Sequence, residues 1–128
     1  MPEELVPMRI LVVEDDEDSG ELLCEIFQSR GHIVEVCREG RLALELMGHF
    51  QPQVALLDVG LPDMTGYELA QKLRALAGVS SLRLIALTGY GGDAERSRSH
   101  QAGFDAHFVK PVHPDILVQA VEHPPSVC

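Results

Sequence analysis

Glu14-Asp15-Asp16, Asp58, Thr88 and Lys110 are the side chains of this sequence whose types and order could do chemistry together. Carboxylates brought into one crevice repel each other, and the cheapest remedies are a raised pKa on one of them or a bound divalent cation. Mg²⁺ suits such a set: it prefers octahedral oxygen ligands, keeps several waters and typically takes one or two carboxylates with a phosphate oxygen. Asp15 and Asp58 are expected to ligate it directly and Glu14 through water. Asp58 is then a carboxylate able to attack phosphorus, with the cation and Lys110 absorbing the developing charge, while the Thr88 hydroxyl can hydrogen-bond a phosphoryl oxygen. Taken singly, each has a plainer reading: solvated loop acids, a surface lysine before a proline, a β-branched strand residue.

The plainer readings lose ground if the chain carries these residues to one place. From Met8 onward, short apolar β-type runs alternate about five times with helical periodicities, the pattern of an α/β protein with a parallel sheet. The expected strands are Arg9 to Val13, His32 to Cys37, Val54 to Asp58, Arg83 to Thr88 and Ala106 to Val109. Several are continuously apolar, as strands covered on both faces must be. The first helix is expected from near Ser19 to Gly31, with Leu22, Leu23, Ile26 and Phe27 on one face. The second runs from about Arg41 to Phe50 with a Leu42, Leu46, Phe50 stripe, and the third follows Gly66 with Leu69, Leu73 and Leu76. The fourth, Asp93 to Ala102, has only two alanines to bury and should be lightly held. The fifth, Pro114 to about Glu122, offers Ile116, Leu117, Ala120 and Val121. Right-handed crossovers put the loops after the strands on one edge, where the ligand crevice of an open α/β sheet lies. Glu14, Asp15, Asp58, Thr88 and Lys110 all fall there.

Five segments, Val12-Val13-Glu14-Asp15, Leu56-Leu57-Asp58, Leu61-Pro62-Asp63-Met64-Thr65-Gly66, Ala86-Leu87-Thr88-Gly89 and Val109-Lys110-Pro111, occur in the order and spacing of one family. Over roughly Met8 to Glu122 the sequence resembles the receiver domains of two-component response regulators. The resemblance implies a flavodoxin-like, doubly wound sheet of five parallel strands in the order 2-1-3-4-5 with five helices. It implies one receiver domain over residues 1–128, with its core at about 8–122 and flexible ends. It implies transfer of a phosphoryl group to Asp58 from a histidine kinase or histidine phosphotransfer protein, and a signalling domain that catalyses its own phosphorylation and dephosphorylation without being an enzyme in the ordinary sense. The backbone carbonyl of Gly60 becomes a further Mg²⁺ ligand, and the Lys110-Pro111 bond is expected to be cis. Thr88 and His107 are expected to move in the switch, with a dimer or partner contact through helix four, strand five and helix five. His107 departs from the Tyr or Phe of many receivers. Phe108, on the opposite face, should be core. A stand-alone regulator and a receiver belonging to a hybrid histidine kinase fit equally.

Two other readings share the sheet. A phosphatase working through an aspartyl phosphate wants a second acid just beyond the nucleophile, where Gly60 stands. A flavodoxin-like binding module wants a phosphate-cradling turn after the first strand, where Glu14-Asp15-Asp16 would repel the phosphate.

The composition narrows the field further. A chain of 128 residues suits a single core, and 45% hydrophobic with 23% charged residues is ordinary globular usage. A net charge of −10 argues against a surface built to neutralise nucleic-acid phosphates. No apolar run approaches the ~18 residues of a membrane span, and the N-terminus lacks the pattern of a secretory signal, so a cytoplasmic location is expected. Cys24, Cys37 and Cys128 lack ligand spacing and are expected to be two buried small hydrophobes and a free tail thiol. His32, His49, His100, His113 and His123 receive no role.

Overall fold

The computed structural model describes residues 6–77, 82–89 and 91–123, so Tyr90, Cys128 and the 124–128 tail lie outside the described residues. Five strands, β1 (Arg9–Val13), β2 (Ile33–Cys37), β3 (Val54–Asp58), β4 (Arg83–Thr88) and β5 (Ala106–Val109), alternate with five helices, α1 (Glu17–Ser29), α2 (Gly40–Phe50), α3 (Gly66–Ala77), α4 (Asp93–Ala102) and α5 (Pro114–Glu122). The sheet is parallel throughout, in the order β2-β1-β3-β4-β5.

The side-chain period of two sorts the central strands into two cores. Leu11, Val13, Ala55, Leu57, Leu84 and Ala86 meet Ala43, Leu69, Ala70, Leu73 and Ala102 under α2, α3 and α4. Ile10, Val12, Val54, Leu56, Ile85 and Leu87 meet Leu23 and Phe27 of α1 and Leu117 and Val121 of α5. Strands β1, β3 and β4 are therefore apolar on both faces, whereas the edge strand β2 exposes Ile33, Glu35 and Val36. Gly31 and Gly103, with φ of 95° and 104°, turn the chain out of α1 and α4 in the left-handed region that a residue without Cβ enters at no steric cost.

Several expectations need correction. Helix α1 begins two residues before Ser19, because Asp16 caps it: its Oδ2 accepts from Ser19 N–H at 3.1 Å. Leu22, Leu76 and Ile116 are 53%, 62% and 51% exposed. The covered arcs hold Gly20, Leu23 and Phe27 on α1, Leu69 and Leu73 on α3, and Leu117 and Val121 on α5, and the three exposed side chains lie off them. Leu42, Leu46 and Phe50 are half-buried at the rim, and Ala43 is the α2 side chain fully inside. Cys37 is buried, but Cys24 only half so. In α4, Ala94 is exposed while Ser99 joins Ala102 in the interior. Phe108 is half-buried against the α1/α5 core rather than within it. His32 precedes β2 instead of starting it and is buried: its Nδ1 accepts from Met8 N–H at 3.0 Å, and its Nε2 lies 2.8 Å from Glu122 Oε2.

Candidate functional site

All five β-to-α connections leave the same edge of the sheet, and there the polar residues converge. Glu14, Asp15 and Asp58 each offer a carboxylate oxygen, and the three atoms lie within 4.8 Å of one another. Glu14 directly follows β1, its amide donating to Cys37 O at 3.0 Å, and its side chain is 1% exposed. Asp58 ends β3, its side chain 12% exposed and its Oδ1 accepting from Gly60 N–H at 3.1 Å. Lys110 arrives from β5: its backbone N–H donates to Thr88 O at 2.7 Å, and the bond to Pro111 is cis. Its Nζ stands 2.8 Å from Glu14 Oε1 and 3.4 Å from Asp58 Oδ1. Thr88 closes β4, 3% exposed, across from Val109.

The electrostatics follow from that crowding. Burial, then the hydrogen bond and charge of Asp58, push the Glu14 carboxyl above its usual range against the pull of Lys110. Burial works against a charged Lys110, but Glu14 and Asp58 together outweigh it and hold its pKa up. The ammonium therefore stays charged beside two carboxylates, an arrangement suited to a cation and to an incoming anionic group.

Asp16, the last acid of the Glu14-Asp15-Asp16 run, is not among the carboxylates that converge. Its carboxylate accepts from Ser19 N–H and, at 2.5 Å, from Ser19 Oγ, and those bonds lower its pKa. Sequence reasoning also missed how the loop after β3 is held. Thr65 and Glu68 make a reciprocal cap at the start of α3, with Glu68 N–H donating to Thr65 Oγ1 at 3.1 Å and Thr65 N–H to Glu68 Oε1 at 3.0 Å. The Thr-x-x-Glu spacing was the available signal. His107 shares Nδ1 with Ser99 Oγ at 2.5 Å, a contact between β5 and α4 that no local pattern announces.

A doubly wound parallel sheet with an acidic crevice at its carboxyl edge, a lysine across it and no phosphate-cradling turn after β1 defines a receiver-type domain rather than a nucleotide or flavin binder. Residues 10–122 match the response regulator receiver domain family, and the chain belongs to that family. An uncharacterized 14.6 kDa protein from the sodA1 3′ region of Leptolyngbya boryana is 36% identical over 118 residues, 92% of this chain and 90% of that one. The response regulator MprA of Mycolicibacterium vanbaalenii is 35% identical over 106 residues, 83% of this chain but only 45% of MprA. A CheY-like response regulator receiver domain protein from Methanospirillum hungatei JF-1, known as a crystal structure, is 32% identical with a TM-score of 0.83, each chain covered over 91% of its length. Receiver domains act in two-component signalling and are not enzymes in the ordinary sense. The phosphatase and flavodoxin-like readings fall away. Among the described residues, no helix is long and apolar enough to cross a membrane.

Proposed function

We propose that this chain accepts a phosphoryl group on Asp58 from a phosphohistidine donor, a histidine kinase or a histidine phosphotransfer protein. It then reports that state through α4, β5 and α5 to a partner or a second copy in the cytoplasm. The observation that carries the reading is the Lys110 ammonium held 3.4 Å from Asp58 Oδ1 beside the Glu14, Asp15 and Asp58 carboxylates. In the transfer, an Asp58 carboxylate oxygen bonds to phosphorus as the P–N bond of the donor imidazole breaks, its electron pair staying on the ring nitrogen. Lys110 takes up charge on the phosphoryl oxygens, and Thr88 donates its hydroxyl to one of them. Glu14, Asp15, Asp58 and the Gly60 carbonyl are the groups that would hold Mg²⁺, which offsets the charge of the phosphoryl oxygens when bound. Loss of the group is the same displacement with water, which the domain promotes itself. Thr88 drawn toward the phosphoryl group lets His107 shift against α4.

Incubation with radiolabelled acetyl phosphate, or with a phosphorylated histidine kinase, tests the reading. Wild type should take up a base-labile label on addition of Mg²⁺, and Asp58→Asn, which keeps the shape and removes the nucleophile, should take up none. Equal labelling of the variant would move the phosphoacceptor elsewhere.

A further inference from the structure

The loop after Asp58 is tied at both ends. Gly60 and Thr65 form an antiparallel bridge, Gly66 N–H donates to Val59 O at 2.8 Å, and Thr65 begins α3 through its cap with Glu68. A further tie holds the tip. Asp63 reaches to a different helix, its Oδ1 accepting from Gly40 N–H and its Oδ2 from Arg41 N–H, both at 2.9 Å. Glu39, the residue that should cap α2, makes no side-chain cap bond. Two of the orphan amides of α2 are thus satisfied by a carboxylate from the loop of the phosphoacceptor strand, where the helix dipole also favours negative charge. Those two amide bonds hold the Asp63 carboxyl below the usual range, which fits a carboxylate kept charged in that place.

The tie matters because of what the loop carries. Gly60 already donates to Asp58 Oδ1 at 3.1 Å, and its carbonyl is the backbone ligand in the function proposed above. A carbonyl on an untethered loop must be ordered each time it binds, at a cost in backbone entropy. Asp63 is not one of the carboxylates that converge, so its part is indirect.

We propose that Asp63 is a positioning residue for the metal and phosphoryl site: by filling the N-terminus of α2, it holds the 60–66 loop where the Gly60 carbonyl can meet the cation. The inference rests on the metal reading above. Outer partners that orient a ligand change metal affinity on the order of tenfold when removed, and that is the expected effect here.

The test uses calorimetric titration of the full 128-residue chain with MgCl₂. Asp63→Ala should bind Mg²⁺ on the order of tenfold more weakly than wild type, and Asp63→Asn, which keeps one acceptor, should lose less. A double variant, Asp63→Ala with Glu39→Ser, restores a local cap to α2 without restoring the tether. It should recover thermal stability but not Mg²⁺ affinity, and the amides of Val59 and Gly60 should exchange faster in both it and Asp63→Ala. Should Asp63→Ala fail to fold, the same comparison rests on Asp63→Asn alone and with Glu39→Ser. Undiminished affinity in the Asp63 variants, or affinity that returns together with stability in the double variant, overturns the proposal while leaving the metal reading intact. A wild type that binds no Mg²⁺, or an Asp15→Asn variant that binds it as tightly, overturns the metal reading and this proposal with it.

Discussion

The Lys110 ammonium bridges two carboxylates, 2.8 Å from Glu14 Oε1 and 3.4 Å from Asp58 Oδ1, so one positive charge serves both a buried acid and the proposed nucleophile. It occupies part of the role a divalent cation would take, and a cation bound there would compete with it for the same negative charge. Lys110→Met should therefore bind Mg²⁺ severalfold more tightly, a gain of about 1 kcal/mol for a partly screened pair. The same variant should label Asp58 more slowly, since nothing replaces the ammonium at the phosphoryl oxygens. Mg²⁺ titration and acetyl phosphate labelling of one protein preparation check both directions, and weaker Mg²⁺ binding would show that Lys110 does not compete.

Gly66 sits where the chain folds back on β3, and a Cβ there would come within 2.7 Å of Val59 Cα and 2.8 Å of Asp58 O. Both neighbours are backbone and cannot step aside. Gly66→Ala is expected to cost about 2–3 kcal/mol, the scale of overpacking in a well-filled site. Urea unfolding should show the midpoint falling with the slope unchanged.

Glu122 closes α5 onto the far edge of the sheet, held by Arg30 at 2.5 and 2.7 Å and by His32 at 2.8 Å, with its own side chain 1% exposed. The hydrogen bond from Arg30 is the main reason its carboxyl lies below the usual 4.5, with His32 adding to it against the cost of burial. A depressed carboxyl stabilises the fold fully above about 4.5, and that stability is lost as pH falls through the lower folded value. Glu122→Gln should cost about 2 kcal/mol at pH 7, and the gap to wild type should narrow steadily in acid. Urea unfolding of both proteins from pH 7 down to pH 3 measures this, and a gap that widened below pH 4 would contradict it.

Among the described residues, helix α4 buries only Ser99 and Ala102, and its polar contacts include the Ser99 to His107 bond at 2.5 Å and the Arg98 guanidinium 4.3 Å over the Tyr67 ring. An element held this way shifts at little cost, whereas α3 with Leu69 and Leu73 fully buried does not. Beryllofluoride, a phosphoryl mimic, should change amide exchange between residues 91 and 121 and leave α2 and α3 nearly unchanged. Thr88→Ala should blunt that response without preventing the mimic from binding. Ser99→Ala should speed basal exchange in α4 about fivefold, the weight of a hydrogen bond of ~1 kcal/mol. A response confined to α2 and α3 would rule out this switch surface.

Much of the molecule was legible along the chain. The spans of β1, β3, β4, β5 and α5 follow from apolar runs and their Gly and Pro punctuation, that of α4 from the glycines that flank it, and the order of the acidic pair, Asp58, Thr88 and Lys110 pointed to one edge of one sheet. These are properties of period and order, which a strand or helix expresses wherever it ends up. What tertiary structure alone decided is which arc of each helix is covered and which polar groups find each other. Leu22, Leu76 and Ile116 read as core from spacing alone, yet each is more than half exposed. Asp16 and Asp15 are neighbours in an acidic run, but the start of α1 takes the first as a cap and leaves the second to the crevice. Asp63 with α2, Ser99 with His107 and Glu122 with His32 are likewise pairings of separate elements. Such a bond forms only where packing brings two segments within about 3 Å with their donors and acceptors aligned, and nothing in either segment encodes the other's position.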